Sequence, residues 1–259
     1  MNVFTQFFKS LYSPKDIAIF RFQGIGKTIL YIFVMMAIVS LPAGINVATS
    51  FTQGVNQFQQ ALEQDVPDFE FVNGTLTSKS DEPMIDETAD GTFIFDTTGT
   101  ITLANVQEYE QAFALLQHEA ILVTDGVPQQ LRYQDFGNLS LTKTETEAIA
   151  ATVSELMPII IALVLFLMYL FVTALKFIGI VALSLIGFIV RKSAQVKLSY
   201  KQLWILSAYA VTLPTTLFGI TDALRIYLPF SFTIYWAIAI VMLNLIVKKV
   251  PKPKSRMQQ

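Results

Sequence analysis

Four stretches of this chain, residues 29–48, a run within 156–190, 203–220 and 228–247, are almost unbroken sequences of apolar side chains. A helix needs about 20 such residues to cross about 30 Å of hydrocarbon, where every backbone polar group must be satisfied within the segment. No other feature restricts the fold as strongly. A content of 53% hydrophobic and 15% charged residues, with a mean hydropathy of +0.51, agrees with it. The expected class is an α-helical polytopic membrane protein with about four transmembrane helices.

Charge predicts the orientation, because loops rich in Lys and Arg stay cytoplasmic while long domains translocate largely regardless of their charge. Lys9, Lys15, Arg21 and Lys27 precede the first run, and Arg191, Lys192, Lys197 and Lys201 follow the second. Lys248, Lys249, Lys252, Lys254 and Arg256 follow the fourth. The segment 50–155 instead gathers most of the acidic residues, with Lys79, Arg132 and Lys143 as its bases. The chain is therefore expected in the plasma membrane as a multi-pass protein with both termini cytoplasmic. Its order is a cytoplasmic amphipathic segment (1–28), transmembrane helix 1 (29–49), an acidic extracytoplasmic α+β domain (50–155), a bundle of transmembrane helices 2–4 (156–247) and a basic cytoplasmic tail (248–259). "NVATS" after a basic and apolar stretch resembles an export signal. An uncleaved first span is preferred, because the region before it is long and patterned.

That region, "MNVFTQFFKSLY", repeats Val3, Phe4, Phe7, Phe8, Leu11 and Tyr12 at helical spacing. It suits either a helix lying on the inner leaflet or a flap buried against the bundle. Ser13-Pro14 should end it. The basic inner face should favour an anionic inner leaflet, and nucleic acid is not an expected partner, since the basic residues mark membrane boundaries.

Within 50–155, Phe51, Val55, Phe58, Leu62 and Val66 form a helical stripe that continues the first span outward. "DFEFVNGTLTS" reads as two strands around an Asn-Gly turn. "TFIFD", "AILVT" and "QLRYQ" add strands. Val106, Tyr109, Phe113 and Leu116 have helical spacing, and "TETEAIAATVSEL" leads back to the membrane as a helix.

Several motifs invite a chemistry. "GIGKT" (24–28) resembles the end of a phosphate-binding loop, but Arg21 stands where the first glycine belongs and no strand precedes it. No nucleotide is expected there. "FDTTGT" places Asp96 almost as in the pump motif Asp-Lys-Thr-Gly-Thr, yet Thr97 replaces the lysine. A strand and turn are expected instead. "DETADG" spaces Asp86, Thr88 and Asp90 as in a calcium loop, without the closing glutamate, so a solvated acidic turn is the commoner outcome. Asn73-Gly-Thr and Asn138-Leu-Ser match glycosylation acceptors. The chain has no cysteine, which excludes disulfides and thiolate chemistry. No cofactor is expected, and no acid-base pair or nucleophile at the bilayer suggests an enzyme.

Inside the apolar runs, Lys176 and Asn244 are the membrane-buried polar candidates. Lys176 shares a helical face with Thr173, Ile180, Ser184 and Gly187. A span beginning at residue 156 would instead bring it near the cytoplasmic end, where its stem could snorkel. Residues 156–190 form one long helix or a broken one. Tyr209, Thr212, Thr216, Gly219 and Asn244 form small-polar stripes that pack membrane helices.

"FFKSLYSPKDIAIFRFQGIGKTILY", "FVNGTLTS", "FIFDTTG", "ILVTDG" and "KLSYKQLWILSAYAVTLP" resemble a family of Firmicutes membrane proteins, domain-of-unknown-function family 1189. Some of its members are labelled maltodextrin utilisation proteins. The resemblance implies a link to sugar uptake and defines no activity. "KLSYKQLWILSAYAVTLP" is also similar, more distantly, to Yip-like membrane proteins. The expected function is that of a non-enzymatic accessory or sensor protein whose outer domain binds a ligand or envelope partner and whose bundle docks on a membrane-protein partner. A small-solute transporter or channel component is the alternative.

Overall fold

The computed structural model describes residues 2–64, 66–88, 91–124, 126–137, 140–224, 226 and 228–252. Its helices are α1 (Val3–Tyr12), α2 (Pro14–Phe20), α3 (Ile25–Gln64), α4 (Leu103–Val106), α5 (Lys143–Ser193), α6 (Tyr200–Ala210), α7 (Thr212–Ala223) and α8 (Ser231–Lys248). The chain divides into a helical unit, Met1–Thr49 with Ile161–Gln259, and an α/β unit, Ser50–Ile160. Among the described residues, four helical stretches are long and apolar enough to cross a membrane: Ile25–Gln60, Lys143–Ser193, Tyr200–Ala223 and Ser231–Lys248.

Local chemistry explains the helix boundaries. The Asn2 side chain accepts the Thr5 N–H at 2.8 Å to open α1, and Pro14 forbids its continuation. Pro14 then sits in the first turn of α2, where a missing N–H costs nothing. Thr142 and Glu145 start α5 as a capping box, in which the Glu145 carboxylate accepts the Thr142 N–H at 2.8 Å and Thr142 Oγ1 accepts the Glu145 N–H at 3.4 Å. From there α5 runs for 51 residues without a break, despite Pro158, which resolves 156–190 as part of one helix.

In the helical unit α6 is central. Leu203, Ile205, Leu206, Ala208, Tyr209 and Ala210 are all fully buried, although they surround the helix axis. Ile17 and Phe20 of α2, Tyr31 and Met35 of α3, Leu183 of α5 and Leu243 of α8 share its core. Glycine permits two close approaches. A Cβ on Gly187 would come within 3.1 Å of Leu203, and one on Gly219 would lie 2.3 Å from the Val39 side chain. Helix α5 faces outward with Leu163, Phe166, Phe171, Ile178 and Ile189, all exposed. Helix α1 is divided between the two expected settings. Gln6, Phe7 and Ser10 are buried, while Phe4, Phe8 and Tyr12 are exposed.

The α/β unit holds two sheets. β1 (Phe69–Val72), β2 (Thr75–Ser78) and β8 (Ser140–Thr142) form an antiparallel sheet in the order β2-β1-β8. β3 (Met84–Thr88), β4 (Gly91–Asp96), β5 (Ala112–Leu116), β6 (Glu119–Thr124) and β7 (Val127–Arg132) follow one another in the second. There β4 and β5 are parallel and the other pairs antiparallel. Asn73 and Gly74, both at positive φ, close the β1–β2 hairpin. The two faces of β4 serve two cores. Phe93 and Phe95 pack with Leu62, Phe69, Phe71 and Ala150, whereas Ile94 packs with Val106, Ala114 and Ile121.

Two sequence expectations need correcting. The helical spacing of Val106, Tyr109, Phe113 and Leu116 is not one helix: α4 ends at Val106 and residues 112–116 are strand β5. Pairing on both sides with β4 and β6 overrides the helix propensity of "AFALL". The strand placed at "QLRYQ" runs instead over Val127–Arg132 and gives way to a 3-10 turn at Tyr133–Phe136.

Candidate functional site

Lys176 projects from α5 towards α7 and α8. Its Nζ donates to Thr215 Oγ1 at 3.1 Å and to the Tyr235 hydroxyl at 3.0 Å, and it lies 4.6 Å from the Tyr235 ring centroid. Thr215 and Tyr235 hydroxyls are themselves 3.0 Å apart. One turn earlier on α5, the buried Thr173 Oγ1 has no hydrogen-bond partner, and neither has Thr216 Oγ1 beside Thr215. The cation thus meets two hydroxyls and a π face but, among the described residues, no carboxylate.

Along both helices the site stands apart from the basic end. Lys176 is 15 residues before Arg191, about 22 Å at 1.5 Å per residue. Tyr235 lies near the start of α8, 13 residues and about 20 Å from Lys248. Both helices therefore carry this site away from the end that holds Arg191, Lys192, Lys248 and Lys249. Asn244, half-buried on α8, is nine residues from Tyr235, about 13 Å. The fold does not bring it to Lys176.

A second polar cluster lies where α6 gives way to α7, three residues before Pro214. The Tyr209 hydroxyl is 2.8 Å from the Gln6 side-chain oxygen and 2.9 Å from that of Gln23. A hydroxyl has one proton, so full satisfaction has it donate to one amide and accept from the NH2 of the other. The Tyr31 ring lies 4.3 Å from the Tyr209 ring, tilted by 39°, and its hydroxyl lies 2.6 Å from Thr212 Oγ1. Phe20 completes the cluster edge-on, 4.7 Å from Tyr209. These contacts clamp α1, the α2–α3 connection and α3 onto α6 and α7. Sequence reading placed Tyr209 and Thr212 in a packing stripe but missed Gln6 and Gln23. Their signal was a glutamine recurring among aromatic residues in a short apolar helix and just beyond the next.

The remaining motifs are placed as follows. Asp96 is fully buried at the end of β4. One carboxylate oxygen accepts the Thr98 N–H at 2.8 Å and the Thr98 hydroxyl at 2.7 Å. The other accepts the Ile101 N–H at 2.6 Å and the Thr100 hydroxyl at 3.3 Å. Burial pushes its pKa up, but these donors outweigh burial and hold it below the usual carboxylate range. Such a carboxylate organises a turn and leaves no lone pair directed outward. In "GIGKT", Gly26 to Thr28 already lie in the first turn of α3, following α2 and a bend, so no loop wraps a phosphate there. Asp86 and Thr88 stand at alternate positions of β3, whose hairpin with β4 pairs Thr88 with Gly91. An extended strand does not fold oxygens around an ion as a calcium loop does. Asp90, Asn138, Lys254 and Arg256 lie outside the described residues.

Residues 4–247 match the model of a family described as Protein of unknown function (DUF1189), and the chain belongs to that family. No curated protein and no solved structure matches it.

Proposed function

We propose that this protein is a non-enzymatic accessory or sensor protein of the plasma membrane, with both termini cytoplasmic and the α/β unit outside. In this reading the α/β unit binds a ligand or an envelope partner, and the helical unit docks on another membrane protein. The distribution of Lys and Arg supports the orientation, and the outward-facing apolar side chains of α5 support contact with lipid. Helices α3 and α5 each continue from one unit into the other without a break. That continuity offers a route for a binding event to bias the bundle.

The observation that carries the docking role is Lys176. A cation among apolar helices is costly unless it is neutralised, and two hydroxyls cannot neutralise it. A carboxylate on a partner's transmembrane helix can. Leu175 and Ile178 flank Lys176 and are exposed, so a photoreactive side chain at either position reports on the neighbour. In native membranes we expect a crosslink to one membrane protein, weakened in Lys176→Leu and retained in Lys176→Arg. If purified protein in liposomes instead carries a sugar or an ion, and Lys176→Ala stops it, the transporter reading replaces this one. The same strains, grown on maltodextrin, test a link to sugar uptake.

A further inference from the structure

At the basic end of the helical unit the chain forms an open-mouthed cavity of about 560 Å³ between the end of α5 and the start of α6. The backbone makes it in two steps. Gln195 adopts a left-handed conformation (φ 57) and the Val196 N–H donates to the Arg191 carbonyl at 3.2 Å, which turns the chain back on α5. Residues 196–198 then run to Ser199, which caps α6 in a reciprocal box with Gln202.

The lining is divided by chemistry. Arg191, Lys192, Lys197 and Ser199 supply donors, and Phe188, Val196 and Leu198 supply an apolar wall. Arg191 is already in place. Its guanidinium donates to the Leu198 carbonyl and lies 4.5 Å over the Phe188 ring, which stacks in turn on Tyr200 at 6.0 Å. Lys192 and Lys197 are exposed, and the ion pairs among the described residues lie elsewhere, at Lys9–Asp16 and Lys143–Glu147. The positive end of α6, an 11-residue helix, adds to the same field. Just along α5, Leu185 and Ile189 point outward and are exposed.

We propose that this cavity is a binding site for the phosphate group of an anionic phospholipid, with Lys192 and Lys197 closing on the phosphate and the apolar wall continuing into the exposed α5 face that the acyl chains follow. Three cations without a carboxylate select an anion. Arg191, held in the cavity wall by its carbonyl and ring contacts, is a preformed donor. The volume is in the range of small-ligand sites. Adjacent apolar side chains distinguish a lipid from a soluble anion. The proposal rests on the membrane reading of the helical unit, whereas binding in micelles does not depend on where the α/β unit lies.

The test uses full-length protein in a neutral detergent, with native mass spectrometry counting retained phosphatidylglycerol and phosphatidylcholine. Wild type should retain phosphatidylglycerol in preference. Lys192→Gln/Lys197→Gln should weaken it by about 10- to 30-fold, at about 1 kcal/mol per lysine near a lipid surface. Lys248→Gln/Lys249→Gln, which removes equal charge from the same end outside the cavity, should leave retention within about twofold. Equal loss in both double variants would mean diffuse electrostatics and would overturn the site. Equal retention of the two lipids by wild type would overturn it as well. Inorganic phosphate serves as the second probe. If it protects the fold at sub-millimolar concentration while phosphatidylglycerol does not, the lipid assignment fails. Both lysines are exposed, so the variant should fold, and its melting temperature in detergent checks that directly.

Discussion

Removing one oxygen from Tyr209 should loosen the N-terminal helices from the bundle. In Tyr209→Phe the ring keeps its contacts with Tyr31 and Phe20, but Gln6, fully buried, and Gln23 lose the hydroxyl they share. Two magnitudes compete. Hydrogen bonds between membrane helices average about 0.6 kcal/mol and reach about 1.7, while a buried polar group left unpaired costs about 1–3 kcal/mol. One substitution leaves the fully buried Gln6 and the half-buried Gln23 each one bond short, so the cost lies between the two figures, and a loss of about 1–2 kcal/mol is expected. If α1 opens locally, amide exchange over Val3–Ser10 should accelerate about 5- to 30-fold. Reversible unfolding in mixed micelles gives the global cost, and hydrogen exchange gives the local one. In the double variant Gln6→Leu/Tyr209→Phe the losses should be less than additive, because one interaction is removed twice. Unchanged exchange over α1, with a stability loss below about 0.3 kcal/mol, would refute the clamp.

Three other perturbations test separate parts of the account. Asp96→Ala strands the N–H groups of Thr98 and Ile101 and should destabilise the α/β unit by about 2–3 kcal/mol. Because the folded pKa of Asp96 is depressed, its stabilisation is present above the unfolded value of about 3.9 and is lost as pH falls through the lower folded value; melting curves should show this acid limb in the wild type and not in Asp96→Ala. Gly219→Ala should cost about 1–3 kcal/mol by overpacking, since β-branched Val39 on a helix has little freedom to turn away from a new Cβ at 2.3 Å; an unchanged unfolding midpoint would exclude that close approach. Millimolar calcium should leave the melting temperature unchanged, because Asp86 and Thr88 lie on a paired strand; a rise that Asp86→Asn abolishes would show an ion site there.

What could be read from the sequence followed from how local the determining physics is. The four apolar runs and the Asn73-Gly74 hairpin declare themselves over 2 to 20 residues, through burial of backbone in one case and positive φ in the other. Strand β5 does not, because "AFALL" carries no alternation and is specified by partners in β4 and β6. Nor did α2 stand out, being seven residues between a proline and a bend. The site around Lys176 was half legible. The lysine stood out in an apolar run, but Tyr235 and Thr215 come from helices 59 and 39 residues further on. Gln6 and Tyr209 are 203 residues apart, and only the packing of α1 on the bundle makes them one site.

The central claim is a membrane protein that holds its α/β unit outside and its basic end inside. A chain without cysteine allows the claim to be tested with single introduced thiols. Lys79→Cys lies in the α/β unit and Lys252→Cys follows α8, and both positions are exposed. On intact cells a membrane-impermeant maleimide should label Lys79→Cys fully and Lys252→Cys only after the membrane is permeabilised. Labelling of Lys252→Cys on intact cells, with Lys79→Cys protected, would contradict the orientation and the reading built on it.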